Sequence, residues 1–156
     1  MKSLIKQLFI LYLLSLSYSS LAINYLDRDI DSDWVNYFSN DSVEINYKYI
    51  ECKYGNAFDQ EYVVFQMINK LDVNISVIFI EKLWYDDVCI NCEHYKEEHR
   101  KTIILNAKEE KTGGCLENSG LKIFSRFTNK IEDMPIIGVN KISSLTKFEL
   151  ENIEIK

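Results

Sequence analysis

Residues 73–80, with the sequence VNISVIFI, decide the fold that we predict for this chain. Apolar and polar side chains alternate from Val73 to Val77, which is typical of a β-strand with one buried face. From Val77 to Ile80 every residue is apolar, so the strand becomes apolar on both sides. We therefore expect it to lie in the middle of the domain, covered on both faces. The preceding residues 69–72 have the length of a hairpin loop that joins it to an antiparallel neighbour.

The same period of two recurs along most of the chain after residue 40. Aromatic or apolar side chains alternate with polar ones from Val43 to Tyr49. Further strand candidates, rich in Tyr, Phe, Val and Ile, are 61–68, 102–107, 121–127 and 145–155. No segment has the sustained 3.6-residue apolar stripe of a helix, and about seven short strands separated by turns predict an all-β antiparallel sandwich. The residues expected in its core are Phe65, Ile75, Val77, Phe79, Trp84, Ile104, Leu105, Ile123, Phe124 and Phe148.

The first 22 residues have the three parts of a cleavable signal peptide. Lys2 and Lys6 precede the apolar run 8–16. The small residues Ser20 and Ala22 flank Leu21 at the end of the segment. The run is nine residues long, whereas spanning a bilayer takes roughly 20. We therefore predict cleavage after Ala22, no stable membrane insertion, and a secreted or periplasmic product. The predicted organisation is a signal peptide at 1–22, an acidic lead-in at 23–40 and a β-sandwich domain at 41–156.

The chain that follows the signal peptide is acidic. Two of the 18 Lys and Arg residues lie in the signal peptide and none of the 24 Asp and Glu residues do, which leaves a formal charge of −8. Binding to nucleic acid and to anionic membranes depends on Lys and Arg near phosphate groups. The charge therefore argues against both partners, and we expect an unidentified protein or glycan partner and no cofactor.

All four cysteines, Cys52, Cys89, Cys92 and Cys115, follow the signal peptide. An even number in an oxidising compartment predicts two disulfides, for which three pairings exist. We favour Cys89 with Cys92, because they are close neighbours in sequence, and Cys52 with Cys115 as a staple across the sandwich. A redox couple of the thioredoxin kind needs its first thiol at a helix N-terminus, whereas the segments on both sides of Cys89 are predicted strands.

A zinc site is an alternative for the same segment. Two cysteines and two histidines are a common ligand set of tetrahedral zinc, and this segment contains Cys89, Cys92, His94 and His99. Only one residue separates Cys92 from His94, where zinc fingers have about a dozen between the second Cys and the first His. Disulfide formation would also remove the thiolates. We therefore expect both histidines to be surface residues and no metal to be bound.

A calcium loop is the second metal alternative. The acids at every second position resemble the opening of such a loop: Asp27, Asp29, Asp31 and Asp33. With Asp29 in the first position, however, Trp34 and Asn40 stand where the loop needs Gly and a bidentate Glu. We interpret the four aspartates as a solvated lead-in.

The candidate binding loop runs from Trp84 to His99 and combines aromatic, acidic and histidine side chains: Trp84, Tyr85, Asp86, Asp87, His94 and His99. Aromatic rings beside acids can form a sugar-binding platform, but we expect Trp84 to pack in the core. The chain has no Gly-x-Ser-x-Gly, phosphate-loop or His-Glu-x-x-His motif. We therefore predict a protein that is not an enzyme.

Four runs of the chain resemble small exported immunoglobulin-like proteins of Bacteroidota bacteria: 62–70, 83–92, 112–115 and 145–150. The resemblance covers most of the chain after residue 22, implies an immunoglobulin-like sandwich and carries over no catalytic residue. The expected function is an exported, disulfide-stabilised binding or structural module of the cell envelope or extracellular space. A metal-binding or thiol-redox protein that uses the Cys89–Cys92 segment is the alternative.

Two tripeptides match the acceptor pattern for N-glycosylation, one beginning at Asn40 and one at Asn74. In a bacterial product we expect neither to carry a glycan. The strand pattern also places Asn74 inside a strand.

Overall fold

The computed structural model describes residues 33–54, 58–93, 99–116, 119–129 and 142–156, and the predicted signal peptide lies outside these ranges. The described residues form an all-β fold without an α-helix. The strands are β1 Val35–Ser39, β2 Val43–Cys52, β3 Gln60–Asn69, β4 Ile75–Tyr85, β5 Val88–Cys89, β6 Arg100–Leu105, β7 Glu110–Thr112, β8 Lys122–Phe127 and β9 Leu145–Ile155. No helix in this part of the chain has the length and hydropathy needed to span a bilayer.

Two antiparallel sheets pack together. In the five-stranded sheet β1, β2 and β3 follow one another, and β7 and β8 both pair with the second edge of β3. In the four-stranded sheet β4 is central, with β9 along one edge and both β5 and β6 along the other. The nine described strands therefore fill seven positions in the two sheets, where about seven strands were predicted.

Residues 75–80 of the stretch VNISVIFI belong to β4, which is the central strand of its sheet. Val77 and Phe79 are buried between the sheets, whereas Ile78 and Ile80 lie half-buried on the outer face. The hairpin expected at residues 69–72 is wrong, because this connection crosses from one sheet to the other. Asn69 is buried there, and its amide donates hydrogen bonds of 2.7 Å to the carbonyls of Val73 and Asn106. This polar anchor holds the crossing in place.

An aromatic cluster joins the two sheets. Phe148 of β9 packs against Tyr37 of β1, Tyr47 of β2 and Phe65 of β3, with ring centres 5.2 to 5.7 Å apart. The hydroxyl oxygen of Tyr37 also accepts a hydrogen bond of 2.7 Å from the backbone N–H of Leu150. Aromatic contacts of this kind add to the free energy gained by burial alone. Tyr37 belongs to β1, which lies within the range 23–40 and packs on the sandwich through these contacts.

Seven of the ten predicted core residues are buried, and the other three lie on outer faces. Ile104 is 61% exposed because its neighbours Ile103 and Leu105 point inward. Phe124 is half-buried next to Tyr62, with which it pairs in register. The prediction was therefore wrong for Ile104 and placed Phe124 on the wrong face.

The sandwich has two distinct ends. The hairpin end carries the β1–β2 turn and the β3–β4 connection, which contact each other through the hydrogen bond from Lys70 N to Ser42 O. The opposite end carries the last residue of β2, Cys52, which pairs with Gln60. The β4–β5 turn lies at this opposite end as well, because Tyr85 donates its hydroxyl hydrogen bond to the carbonyl of Phe124 on β8.

Candidate functional site

A groove of about 450 Å³ lies at the end of the sandwich opposite the β1–β2 turn. Its lining residues come from the end of β2, the end of β8 and the segments that follow β8 and precede β9: Glu51, Arg126, Phe127, Thr128, Asn129, Ile142 and Ser144. We call it the end groove. Most of these side chains can donate or accept hydrogen bonds, which is the character of a binding site for a polar ligand.

Three charged side chains stand in a row across neighbouring strands at this end. Glu51 of β2 is in register with Glu61 of β3, and Glu61 is in register with Arg126 of β8. Residues two apart on a strand share a face, so Glu61 shares its face with Val63, which is buried in the core. The row therefore occupies inward-facing positions, where the rest of the sandwich is apolar.

Glu61 is fully buried and has a partner for each carboxylate oxygen. The Ser125 hydroxyl donates a hydrogen bond of 2.7 Å to one oxygen, and the Arg126 guanidinium donates one of 3.0 Å to the other. A buried carboxylate needs such partners, because burial without them is very costly. Arg126 also offsets the repulsion expected between two glutamates directly opposite each other.

The groove wall beyond β8 is held by hydrogen bonds to the neighbouring segment. The Thr128 hydroxyl donates to Glu51 Oε1 at 2.9 Å, and Thr128 N donates to the carbonyl of Asp59 at 2.9 Å. Asn129 Oδ1 accepts a hydrogen bond from Asp59 N. These contacts hold the backbone and side chain of Thr128 and the side chain of Asn129, so these polar groups of the wall are positioned before any ligand arrives.

Arg126 retains unused donor capacity. Within the described residues its Nε is buried and has no hydrogen-bond partner, and the side chain as a whole is 33% exposed. A guanidinium carries five N–H donors. Because Glu61 engages Nη2 and Nε is buried, the donors that can serve a ligand in the groove are those of the guanidinium other than Nε.

The predicted binding loop contributes to this end through its turn. Asp86 N donates a hydrogen bond of 3.0 Å to the carbonyl of Ser144, and Asp86 Oδ1 accepts one of 3.3 Å from Ser144 N. Asp86 and Asp87 have φ values of 49° and 66°, which a two-residue hairpin turn requires and which Asp tolerates. The conformation of the turn thus accounts for the presence of Asp86 and Asp87. Asp86 also holds Ser144, which lines the end groove.

The other residues of the predicted loop do not gather at one place. Trp84 is half-buried on the outer face, where the Lys147 amine lies 4.3 Å from its ring centre. This position contradicts our expectation of a core tryptophan. The Tyr85 side chain points inward, and burial, with a contribution from Glu81, raises its pKa to about 12. His99 is half-buried, and His94 lies outside the described residues.

The Cys89–Cys92 disulfide closes a loop that completes the edge of β4. Ile90 N donates to the carbonyl of Leu83 at 3.0 Å, and Leu83 N donates to Asn91 Oδ1 at 2.9 Å. The Asn91 amide then donates to the carbonyl of Glu81 at 2.6 Å. The loop fills the gap between β5 and β6 and satisfies backbone groups that would otherwise be unpaired.

We expect Asn91→Ala to lower the free energy of unfolding by about 2 kcal/mol, because it leaves the partly buried Leu83 N–H and the buried Glu81 carbonyl without their Asn91 partner. Urea unfolding would measure the loss, and hydrogen exchange should show faster exchange at the Leu83 amide. Ile90→Ala is the control, since Ile90 is 57% exposed in the same loop. Equal stabilities of the two variants would contradict this role of Asn91.

The Cys52–Cys115 disulfide joins two parts of the five-stranded sheet. Cys52 ends β2, and Cys115 lies in the connection between β7 and β8. The pairing is the one that we favoured, but the bridge does not cross between the sheets as expected. Tyr54 and Lys122 both donate to the Cys115 carbonyl, at 3.1 and 2.9 Å. The connection is thereby held against the outer face of its own sheet.

The structure offers no cluster of three or more metal-ligating side chains in the ranges that it describes. Cys89 and Cys92 are bonded to each other, so neither is a thiolate ligand. Asp33 is exposed, and the remaining aspartates of the calcium alternative, Asp27, Asp29 and Asp31, lie outside the described residues.

No protein-family model, curated protein or solved structure matches this chain. The candidate site therefore depends on its own geometry. Sequence reasoning missed the end groove, although one signal was present. Glu51 continues the inward-facing series of Tyr47 and Tyr49, and Glu61 opens the inward-facing series of Val63 and Phe65. A charge at an inward-facing position of two neighbouring strands marks the place where the core gives way to the groove.

Proposed function

We propose that this chain is an exported, disulfide-stabilised β-sandwich module that binds a partner and does not catalyse a reaction. Both cysteine pairs are at disulfide distance, and disulfides persist in oxidising compartments outside the cytoplasm. In the proposal the bridges are structural. One completes the edge of β4 through Asn91, and the other holds the connection between β7 and β8.

The immunoglobulin-like part of the proposal concerns architecture. Two packed antiparallel sheets with seven strand positions are the arrangement of that class. The order of strands differs from that of immunoglobulin domains. The first three strands of this chain are consecutive neighbours in one sheet, whereas the third strand of an immunoglobulin domain belongs to the other sheet. We therefore propose a sandwich of this general kind with its own connectivity.

The end groove is the observation that carries a binding function, and its chemistry favours a glycan over a protein. Sugar hydroxyls both donate and accept hydrogen bonds. The groove supplies Glu51 and the Thr128 hydroxyl oxygen as acceptors, Arg126 as a donor, and the Asn129 amide as both, whereas the Thr128 hydroxyl hydrogen is already donated to Glu51. A stable protein interface usually covers about 800 Å² on each partner, whereas a groove of about 450 Å³ suits a small polar ligand.

The test is binding of the purified, disulfide-bonded chain to a set of neutral and acidic polysaccharides, followed by calorimetry with the best oligosaccharide. Glu51→Gln removes the charge but keeps the shape, and we expect about tenfold weaker binding, which corresponds to about 1.4 kcal/mol. Glu154→Gln is the control, because Glu154 is exposed on β9 and does not line the end groove.

Two results would contradict the glycan proposal. Equal affinities of wild type and Glu51→Gln would remove the end groove as the site. Cross-linking of a protein partner through the groove, without binding of any polysaccharide in the set, would favour the protein alternative. Circular dichroism of each variant separates a change of affinity from a loss of folding.

A further inference from the structure

The two tripeptides of the N-glycosylation pattern lie at the hairpin end of the sandwich. Asn40 follows β1 in the turn to β2, and Asn74 directly precedes β4 in the connection from β3. Both residues are exposed. Asn74 is therefore not inside a strand, contrary to the sequence prediction. An acceptor asparagine in a secreted chain is expected at such a surface turn.

Among the described residues, the side-chain amides of Asn40 and Asn74 form hydrogen bonds through their oxygen atoms alone. Asn40 Oδ1 accepts hydrogen bonds of 2.9 Å from the backbone N–H groups of Ser42 and Val43, which closes the turn. Asn74 Oδ1 accepts one of 3.0 Å from Ala107 N. Neither Nδ2 atom donates a hydrogen bond to a described residue. The atom that would carry a glycan is thus the one that the fold does not use.

Several other described asparagines differ in this respect, because their Nδ2 atoms are engaged. The Nδ2 donors are those of Asn36, Asn46, Asn69, Asn91 and Asn106. Asn46 and Asn69 use both hydrogens of Nδ2, so a substituent on either nitrogen would displace a native hydrogen bond. At Asn40 and Asn74 the turn-forming bonds to Oδ1 persist after substitution at Nδ2.

We propose that Asn40 and Asn74 are acceptor sites for N-linked glycans when the chain passes through a compartment that holds an oligosaccharyltransferase. The donor is a lipid-pyrophosphate-linked oligosaccharide. The amide nitrogen forms a bond to the anomeric carbon, the bond from that carbon to the pyrophosphate oxygen breaks, and the lipid pyrophosphate leaves. The amide proton passes to a base, and no oxidation or reduction takes place.

Glycans at these positions leave the rest of the molecule accessible. Val43 begins β2 and Cys52 ends it, so the hairpin end and the end groove are about 30 Å apart along the strand. The backbone bond from Lys70 N to Ser42 O keeps the two turns side by side. The two glycans would therefore shield one end of the sandwich without covering the end groove. This proposal does not depend on the proposed glycan-binding function.

The test is expression of the full chain, behind a secretion signal that the host recognises, in a eukaryotic cell line. We expect the secreted protein to lose the mass of two glycans on digestion with peptide-N-glycosidase. Ser42→Ala and Ser76→Ala should each remove one glycan, because each destroys the acceptor pattern and keeps the asparagine. A secreted chain without enzyme-sensitive mass would overturn the proposal, and a glycan at one site only would overturn it for the other.

Glu93→Thr provides a matched control for the structural criterion. Glu93 is exposed, and the substitution gives Asn91 the acceptor pattern, although its Nδ2 is bonded to the Glu81 carbonyl. We expect either an unmodified Asn91 or a loss of secreted, disulfide-bonded protein. A stable, fully disulfide-bonded chain with a glycan on Asn91 would show that engagement of Nδ2 does not discriminate between sites.

Discussion

Removal of the Cys52–Cys115 bridge by Cys52→Ala with Cys115→Ala is expected to lower the free energy of unfolding by about 4 kcal/mol. The bridge joins cysteines 63 residues apart. In the chain-entropy model, a cross-link over a loop of this length restricts the unfolded chain by about 4 kcal/mol. Since domains are usually stable by ~5 to 15 kcal/mol, the variant should unfold at a much lower urea concentration.

The loss should have a local signature as well. The connection between β7 and β8 supplies hydrogen bonds to β3, from Phe65 N to Leu121 O at 3.0 Å and from Gly113 N to Phe65 O at 2.9 Å. Gly113 packs so closely that an added Cβ would lie 2.0 Å from the Leu121 carbonyl oxygen. Without the bridge, we expect the Phe65 and Gly113 amides to exchange faster than the remaining amides of β3.

The short bridge provides the comparison. Cys89 and Cys92 are three residues apart. Their removal by Cys89→Ala with Cys92→Ala therefore adds far less conformational entropy to the unfolded chain than removal of the long bridge, and we expect a smaller loss of stability. Equal losses in the two double variants, or a loss below about 1 kcal/mol without the long bridge, would contradict the entropic account.

The strand content of this fold was predictable because β-strands have a strong period of two. The stretch VNISVIFI identified β4 as a central strand, and the structure places it between β9 on one edge and β5 and β6 on the other. The cysteine pairing was also predictable. Cys89 and Cys92 are close in sequence, and a bond between them leaves Cys52 to pair with Cys115. These features depend on local pattern and on few alternatives.

The assignment of residues to faces was less predictable. Ile104 and Leu105 were both expected in the core, as were Ile123 and Phe124. Adjacent residues of a strand point to opposite faces, so one member of each pair had to face outward. Only the register with neighbouring strands decides which member that is, and register depends on contacts distant in sequence.

The row of charges beside the end groove is hard to recognise in the sequence because its members are distant along the chain. Glu51, Glu61 and Arg126 become neighbours only through the register of β2, β3 and β8. Each of these residues alone is typical of an exposed charged position on a strand. Together they interrupt the apolar interior at one end, which is the kind of local departure from core composition that marks functional sites.

A third inward-facing acid, Glu81 on β4, carries the other large prediction. Glu81 is 5% exposed and continues the buried face of Val77 and Phe79. Burial raises its pKa to about 7, and the Lys101 amine, 3.8 Å away, lowers it only in part. Tyr85, on the same face of β4, is the other titratable group coupled to it. Glu81 Oε1 is buried and has no partner in the described part of the chain.

The contribution of Glu81 to the free energy of unfolding should therefore fall as the pH rises from 4.5 to 7. Below pH 4.5, the usual pKa of Glu, the carboxyl is protonated in both states and has no effect. Between the two pKa values the folded chain binds more protons than the unfolded chain, so raising the pH favours unfolding. Above pH 7 the full penalty is present, and a shift of this size corresponds to about 3 kcal/mol.

Glu81→Gln removes the titration, and we expect it to stabilise the protein by about 3 kcal/mol at pH 8 while leaving stability at pH 4 nearly unchanged. Urea unfolding at a series of pH values measures both. Glu151→Gln is the control, because Glu151 is partly exposed and its ion pair with Lys82 is worth at most about 1 kcal/mol. If the curve of Glu81→Gln ran parallel to that of wild type from pH 4 to pH 8, Glu81 would not be the titrating group. If the variant were less stable at pH 8, the ion pair with Lys101 would outweigh the cost of burying the charge.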